Sequence, residues 1–412
     1  MELNAQHTFS FLYKSHIFPI YIMKKIVFIF LIFPCINLFA QQKDSVITTS
    51  KQVHVFKPEK IEATPERINN LKLPSGFEIS IFAKDLGKPR IMAVTPDGSV
   101  YVTRRSGAVN LLQDRNNDGK AEINKKVLDL KGAHGLAIKD DFLYIITVTE
   151  VVKGKINKDH SIGTLTKIIE DLPDGGQHPN RTIAFGPDEK LYISVGSDCN
   201  ACAETREKNA TLLQIDASQK KPKIFAKGLR NTIGFAWHPE TNVLYGMDHG
   251  IDWLGDDDQK EELNKIEEGK HYGWPYIYGN GEYNLTDQPE DSSWEEFSKK
   301  TTNPEMLFTA HSAPMNFIFY KGNMFPQEYK GSSFISFHGS WNRKPASGYK
   351  LMNLTWENGN PKEASDFVTG FLTDNGTKYF GRPVGLVEMP DGSLLLSDDS
   401  SGIIYRITYS KK

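Results

Sequence analysis

The chain of 412 residues holds only three cysteines. So few exclude a disulfide-stapled scaffold, and the absence of C-x-x-C-H excludes a covalently attached c-type haem. Neither sign of charge dominates, with 49 Lys and Arg against 51 Asp and Glu, so no nucleic-acid partner is implied. Long apolar runs are scarce. The main one, residues 26–39, is short of the roughly 20 residues a membrane span needs. Amphipathic helices of useful length are also missing, apart from one short candidate at residues 261–268.

What is present favours strands. Phe, Tyr and Gly are plentiful (24, 16 and 33 residues), and 39% of the chain is hydrophobic, enough for a sizeable core of strands joined by tight turns. The apolar run follows the basic start Met23-Lys24-Lys25 and ends at the small residue Ala40, the order of a secretory signal peptide. Residues 1–22 read as an upstream extension from a misplaced start codon, 41–70 as a polar mature leader, and 71–412 as the folded domain. A periplasmic or secreted protein is expected, cleaved near Ala40, without a membrane span afterwards, as a monomer or homodimer.

Cleavage would leave Cys199 and Cys202, spaced C-x-x-C. A structural zinc site normally needs a second ligand pair, and a thioredoxin-type redox pair needs a βαβ context. A local disulfide bracing a loop is the favoured reading of the three in an oxidising compartment.

A hairpin recurs along the chain, starting at Arg90, His134, Arg181, Asn231, Ala313 and Arg382. Each copy is a short apolar strand, a turn such as Pro96-Asp97-Gly98, and a second strand of branched and aromatic residues. The first spacings are close to the roughly 40–50 residues of propeller blades. The expected fold is therefore all-β, a six-bladed β-propeller, with insertions chiefly between about 252 and 310 that leave room for a degenerate seventh blade.

In an antiparallel hairpin the start of the first strand and the end of the second share one end. Those positions hold Arg90, Arg104, His134, Glu150, His178, Arg181, Asp198, Arg230, Asn231, Asp248, His249, His338, Arg382, Asp398 and Asp399. Structural salt bridges account for any one of them, but guanidinium, imidazole and carboxylate groups gathered on one face suggest a binding site. His178, three residues before Arg181, suits a general base facing an anionic ligand. The acidic segment from Asp248 to Asp257, leading into Glu261, Glu262 and Asn264, offers the carboxylates and loop carbonyls that Ca²⁺ requires, although as a bare pattern an acidic loop is usually just solvated. Asp114-Arg115-Asn116-Asn117-Asp118-Gly119 begins like an EF-hand loop, but its twelfth position is Lys125, so a turn held by Asx hydrogen bonds is favoured over weak Ca²⁺ binding.

Taken together, Gln177-His178-Pro179-Asn180-Arg181, Arg230-Asn231, His249-Gly250, Tyr272-Gly273-Trp274-Pro275, His338-Gly339-Ser340-Trp341-Asn342-Arg343 and Gly381-Arg382-Pro383-Val384 resemble the soluble pyrroloquinoline quinone (PQQ)-dependent sugar dehydrogenases. The similarity runs from about Leu73 to Tyr409, and the His338–Arg343 stretch and the cysteine loop look closest to the sorbosone dehydrogenase-like branch. The resemblance implies oxidation of a sugar or sugar-aldehyde by hydride transfer to PQQ, with Ca²⁺ assistance and an external electron acceptor. It implies His178 as base and Arg230 as oxyanion stabiliser. Arg181, Asn231, His338, Arg343, Lys344 and Arg382 would bind the cofactor. The carbonyls of Gly250 and Ile251 would hold Ca²⁺, and Glu262 with the Tyr272 carbonyl would hold a second one. Thr232-Ile233 departs from the Pro-Gln of glucose-oxidising members, their cofactor-contacting lysine has Arg343 or Lys344 as its best substitute, and the second arginine after Arg382 is absent. The rival readings are a calcium-dependent propeller hydrolase of the lactonase kind and a non-catalytic carbohydrate- or protein-binding propeller.

Overall fold

Branched and aromatic residues alternating between two buried faces make strands that are apolar on both sides, and this pattern builds the molecule. The computed structural model describes residues 51–216 and 221–411; the expected signal peptide lies outside them. Among the described residues no helix is long and apolar enough to cross a membrane.

Six four-stranded antiparallel sheets follow one another. The first comprises Pro89–Val94, Val100–Arg104, Ala108–Gln113 and Ile123–Asp129. Leu136–Lys139, Phe142–Ile146, Val151–Lys155 and Thr166–Ile169 form the second. In the third are Ile183–Phe185, Leu191–Val195, Thr211–Ile215 and Lys223–Lys227. The fourth has Gly234–Trp237, Leu244–Asp248, Glu261–Lys265 and Met306–Phe308. Pro314–Phe319, Ser333–Phe337, Lys350–Glu357 and Asn360–Val368 make the fifth. The sixth draws on both ends of the domain: Phe77–Ala83 pairs with Ile403–Tyr409, which continues to Leu394–Asp398 and Pro383–Glu388. Each of the six expected hairpins is one edge strand of its sheet and that strand's neighbour.

Each sheet packs on the next, and the sixth packs on the first. Tyr101 and Val109 of the first sheet join Leu136 and Leu143 of the second, while Val100 and Val102, on the opposite face, join Leu395 and Ile404 of the sixth. Hydrogen bonds repeat the succession: Thr103 Oγ1 donates to the His134 carbonyl at 2.7 Å, the Ser197 N–H to the Arg230 carbonyl at 2.7 Å, and Ser397 Oγ to the Arg90 carbonyl at 2.6 Å. Burying both faces of a strand at about 25 cal/mol per Å² of apolar surface is the main stabilising term.

The structure bears on three expectations. Residues 261–268 do not form a helix: Glu261–Lys265 is a strand, with Glu262 opposite Asp248 and Leu307. Tertiary pairing on both sides overrides the helical tendency of a Glu-rich segment. The enlarged region around 252–310 holds no further four-stranded sheet among the described residues; it contributes two strands to the fourth sheet, the hairpin Ile277–Tyr278 with Glu282–Tyr283, and the helix Trp294–Ser298. Residues 51–70, expected to be a polar leader, make specific contacts. Glu59–Lys60 pairs in parallel with Lys378–Tyr379, Thr64 caps the helix Pro65–Asn69, and Ile68 is buried in the core.

Candidate active site

The strand Leu191–Val195 ends in Gly196 and Ser197, and these two residues seat His178. A Cβ on Gly196 would meet the His178 Cβ at 2.6 Å and Asn231 Oδ1 at 2.8 Å, so only glycine lets both side chains approach. His178 Nδ1 lies 3.0 Å from the Ser197 carbonyl and 2.8 Å from Ser197 Oγ. That hydroxyl donates to the Cys199 carbonyl at 2.8 Å. With acceptors on both sides, Nδ1 carries the proton and Nε2 keeps its lone pair. No hydrogen bond reaches Nε2 among the described residues.

Arg230 stands next to it. Its Nε donates to the Asn200 carbonyl at 3.0 Å and its Nη2 to Asn200 Oδ1 at 2.7 Å. Nη1 donates to the His249 carbonyl at 3.3 Å, and the guanidinium lies 5.4 Å from the Trp274 ring centroid. Asp248, at the end of its strand, accepts from the backbone N–H groups of Arg230 and Asn231 and from the Thr232 hydroxyl. This carboxylate therefore fixes the turn that presents Arg230 and Asn231.

A second chain of contacts crosses the same end of the sheets. Asp399 accepts from Arg90 Nη1 at 2.6 Å and pairs with His338 Nε2 at 2.8 Å. Arg90 Nη2 reaches His134 Nε2 at 3.3 Å, and His134 Nδ1 donates to the Arg181 carbonyl at 2.8 Å. Arg382 is aimed by the carbonyls of His338 and Gly339 and packs over the rings of Tyr349 and Tyr379. A cavity of about 340 Å³ opens beside Arg90, His134, Gln177 and Asn180.

Charge follows from burial. Desolvation, helped by nearby guanidinium groups, lowers the imidazoles of His134 and His178 to about 3. Burial likewise lowers His249 and His338 to about 4. Burial alone would raise the Asp399 carboxyl, but His338 and Arg90 hold it well below the usual carboxylate range. At neutral pH the centre thus has neutral imidazoles, the guanidinium groups of Arg90, Arg230 and Arg382, and the Asp399 carboxylate, a field suited to an anionic ligand.

The structure brings His178, Arg230, Asn231, His338 and Arg382 to one end. Arg181, expected to bind a cofactor, is instead fully enclosed: its guanidinium is occupied by the carbonyls of Val148, Pro173, Asp174 and His178, and it shapes the His178 loop. Arg343 is likewise engaged, by the carbonyls of Asp256 and Pro345 and by Asp257. Lys344 is exposed, with Nζ 5.9 Å from the Phe56 ring centroid. Glu150 pairs with Lys167 outside the site.

The expected metal residues divide. Gly250 and Ile251 lie in the loop after His249, and no hydrogen bond ends on their carbonyls among the described residues. Glu262 is buried and accepts from the Gly279 N–H at 2.7 Å, Gln259 and Asn264. Burial raises it to about 7 and neighbouring Glu261 to about 8. Tyr272 packs with Leu229, Phe235 and Ile266, its hydroxyl bonded to Lys265 and Glu267; no contact joins it to Glu262 among the described residues. Cys199 and Cys202 form a disulfide that brackets Asn200. Asp114, Asp118 and Glu122 gather at the surface, where Asp114 and Asn116 accept backbone N–H groups in Asx fashion.

Ser197 and Asn200 were missed by sequence reasoning. Ser197 lies two residues past the strand Leu191–Val195, close to the strand-end position that singled out Asp248 and Asp399, whereas Asn200 lies three residues further on, inside the cysteine loop.

The family model described as TrAA12-like matches residues 71–410. The chain belongs to this family. A protein of Borreliella burgdorferi is 33% identical over 397 residues, covering 91% of this chain and 99% of its own. The PQQ-dependent pyranose dehydrogenase of Coprinopsis cinerea is 24% identical over 410 residues, covering 83% of this chain and 55% of that enzyme; this chain spans about half its length. The calcium structure of the Trichoderma reesei carbohydrate-active enzyme of family AA12 matches with a TM-score of 0.74 at 20% identity, over 83% of this chain and 98% of that one, a likeness of fold. The resemblance to PQQ-dependent sugar dehydrogenases read from the motifs is borne out.

Proposed function

We propose that the chain is an exported quinoprotein that oxidises the anomeric hydroxyl or aldehyde of a sugar, with PQQ and Ca²⁺, and passes the electrons to an external acceptor. Its six successive sheets are read as the blades of a propeller with the site at one end of the axis. The observation that carries the reading is the convergence of Arg90, Arg230 and Arg382 around neutral imidazoles, with Asp399 paired to Arg90 and Asp252 near Arg230. That donor set fits a flat, polycarboxylated ligand and does not fit the ring of carboxylates and carboxamides that a calcium-dependent hydrolase needs. The carbonyls of Gly250 and Ile251, hard oxygen ligands on which no hydrogen bond ends among the described residues, fit Ca²⁺. PQQ bound there would supply the two-electron acceptor for hydride from the sugar, and Ca²⁺ would supply Lewis acidity.

The chain's own residues do the rest. His178 receives the proton of the sugar hydroxyl at Nε2, while Ser197 keeps Nδ1 protonated and the ring fixed. An anionic ligand nearby raises the affinity of that nitrogen for a proton, opposing the effect of Arg230. Arg230, immobilised by Asn200 and His249, stabilises negative charge developing on an oxygen opposite His178. Asn231, His338 and Arg382 orient the ligand, and Asp399 fixes the His338 ring.

The test is addition of PQQ and Ca²⁺ to purified apo-protein, followed by aldoses and a dye acceptor. Stoichiometric PQQ binding and sugar-dependent dye reduction are expected; no PQQ binding at micromolar concentration overturns the reading.

A further inference from the structure

Trp253 and Trp341 are the two most conspicuous exposed aromatics near the site, 45% and 38% accessible. They come from different loops, after the second strand of the fourth sheet and after the second strand of the fifth. Their rings meet edge to face, with centroids 5.2 Å apart and planes at 84°. Such a pair leaves indole faces open to solvent at a cost that soluble proteins usually avoid without a ligand.

The pair is rigidly joined to the candidate active site. Asp252 precedes Trp253, and its Oδ2 is 3.9 Å from Arg230 Nη2. The Asp252 N–H donates to Asn200 Oδ1, the same oxygen that receives Arg230. Asn342 follows Trp341 and donates through Nδ2 to the Asp252 carbonyl at 2.8 Å and to Asp252 Oδ1 at 3.2 Å. His311 accepts from the same amide and donates to the Gly255 carbonyl. Both loops are thus locked to each other and to Arg230, and the one-third-exposed Asp252 carboxylate lies beside the aromatic pair.

We propose that Trp253 and Trp341 form a platform for a second pyranose ring, so that this site takes an oligosaccharide rather than a free monosaccharide. The proposal deepens the sugar dehydrogenase reading and rests on it for the identity of the reacting ring. The C–H face of a pyranose is apolar and matches an indole face, while its rim of hydroxyls requires acceptors. Asp252 offers those acceptors next to the rings. A lipid or apolar peptide would cover the exposed third of that carboxylate, already held by Arg230 and Asn342, without offering it a further donor.

The experiment uses the full chain and β-1,4- and α-1,4-linked glucose tetramers whose reducing ends have been converted to alditols, so that nothing can be oxidised there. Titration is followed by tryptophan fluorescence and calorimetry. Saturable binding to at least one tetramer is expected, weakened about tenfold or more, roughly 1.4 kcal/mol, in Trp253→Ala and Trp341→Ala and largely kept in Trp341→Phe. With intact tetramers, PQQ, Ca²⁺ and a dye, the alanine variants should raise KM for the tetramer about tenfold more than KM for glucose, an effect of the size expected for one lost aromatic contact. Absence of binding by both tetramers, unchanged binding in both alanine variants, equal effects on tetramer and glucose, or a change in KM for the acceptor instead would overturn the proposal. Trp-dependent binding without any sugar oxidation would support the platform and reject the dehydrogenase reading.

Discussion

His178 Nδ1 is held 3.0 Å from the Ser197 carbonyl, and this contact determines which nitrogen is the base. The carbonyl can only accept, so the proton stays on Nδ1 and Nε2 is free. His178→Ala should keep PQQ binding and lose about 10²–10⁴ in kcat, the usual worth of a general base. Ser197→Ala retains the carbonyl and should lose much less. Equilibrium binding beside steady-state kinetics separates the two effects.

Asp399 is shared by two partners, the Arg90 guanidinium and the neutral His338 imidazole. Asp399→Asn leaves the buried Arg90 without its counter-charge, at a cost of about 3–5 kcal/mol. The exposed Asp257, paired with Arg343 at 2.8 Å, is the control, and Asp257→Asn should cost less than about 1 kcal/mol. Denaturant melts of the two variants measure the contrast.

Stability should peak in mildly acidic solution. The imidazoles of His134, His178, His249 and His338 fall from 6.5 to about 3 or 4 on burial. Between those values the unfolded chain binds more protons, so stability is lost as pH drops from 6.5 towards 3. Glu261 and Glu262 behave oppositely. Burial raises them from 4.5 to about 8 and about 7, so stability is lost as pH rises across that range. Melting temperature against pH should show both limbs, and Ca²⁺ should raise it more above the titration of Glu261 and Glu262 than below it if these carboxylates hold a cation.

The disulfide should matter more to activity than to stability. Closing so short a loop is worth about 2 kcal/mol. Removing it in Cys199→Ser/Cys202→Ser frees Asn200, which anchors both Arg230 and Asp252. A modest drop in melting temperature with a larger drop in kcat is expected.

The six hairpins were legible because each is local: a period-2 apolar pattern and a connection that is short in all but the fifth specify a strand pair without reference to the rest of the chain. The strand-end residues His178, Arg230, His338 and Arg382 followed from that pattern, since antiparallel pairing alone sets which hairpin ends coincide. Only the tertiary structure decided that Phe77–Ala83 completes the last sheet, that Glu261–Lys265 is a strand, and that Arg181 and Arg343 are enclosed away from the site while Arg230 and Arg382, also held by backbone carbonyls, lie beside His178 and His338. Those outcomes depend on partners at every separation, from the His178 carbonyl three positions before Arg181 to Tyr409 opposite Phe77. The residue type sets what a guanidinium can bind; the packing around it sets which acceptors it meets first.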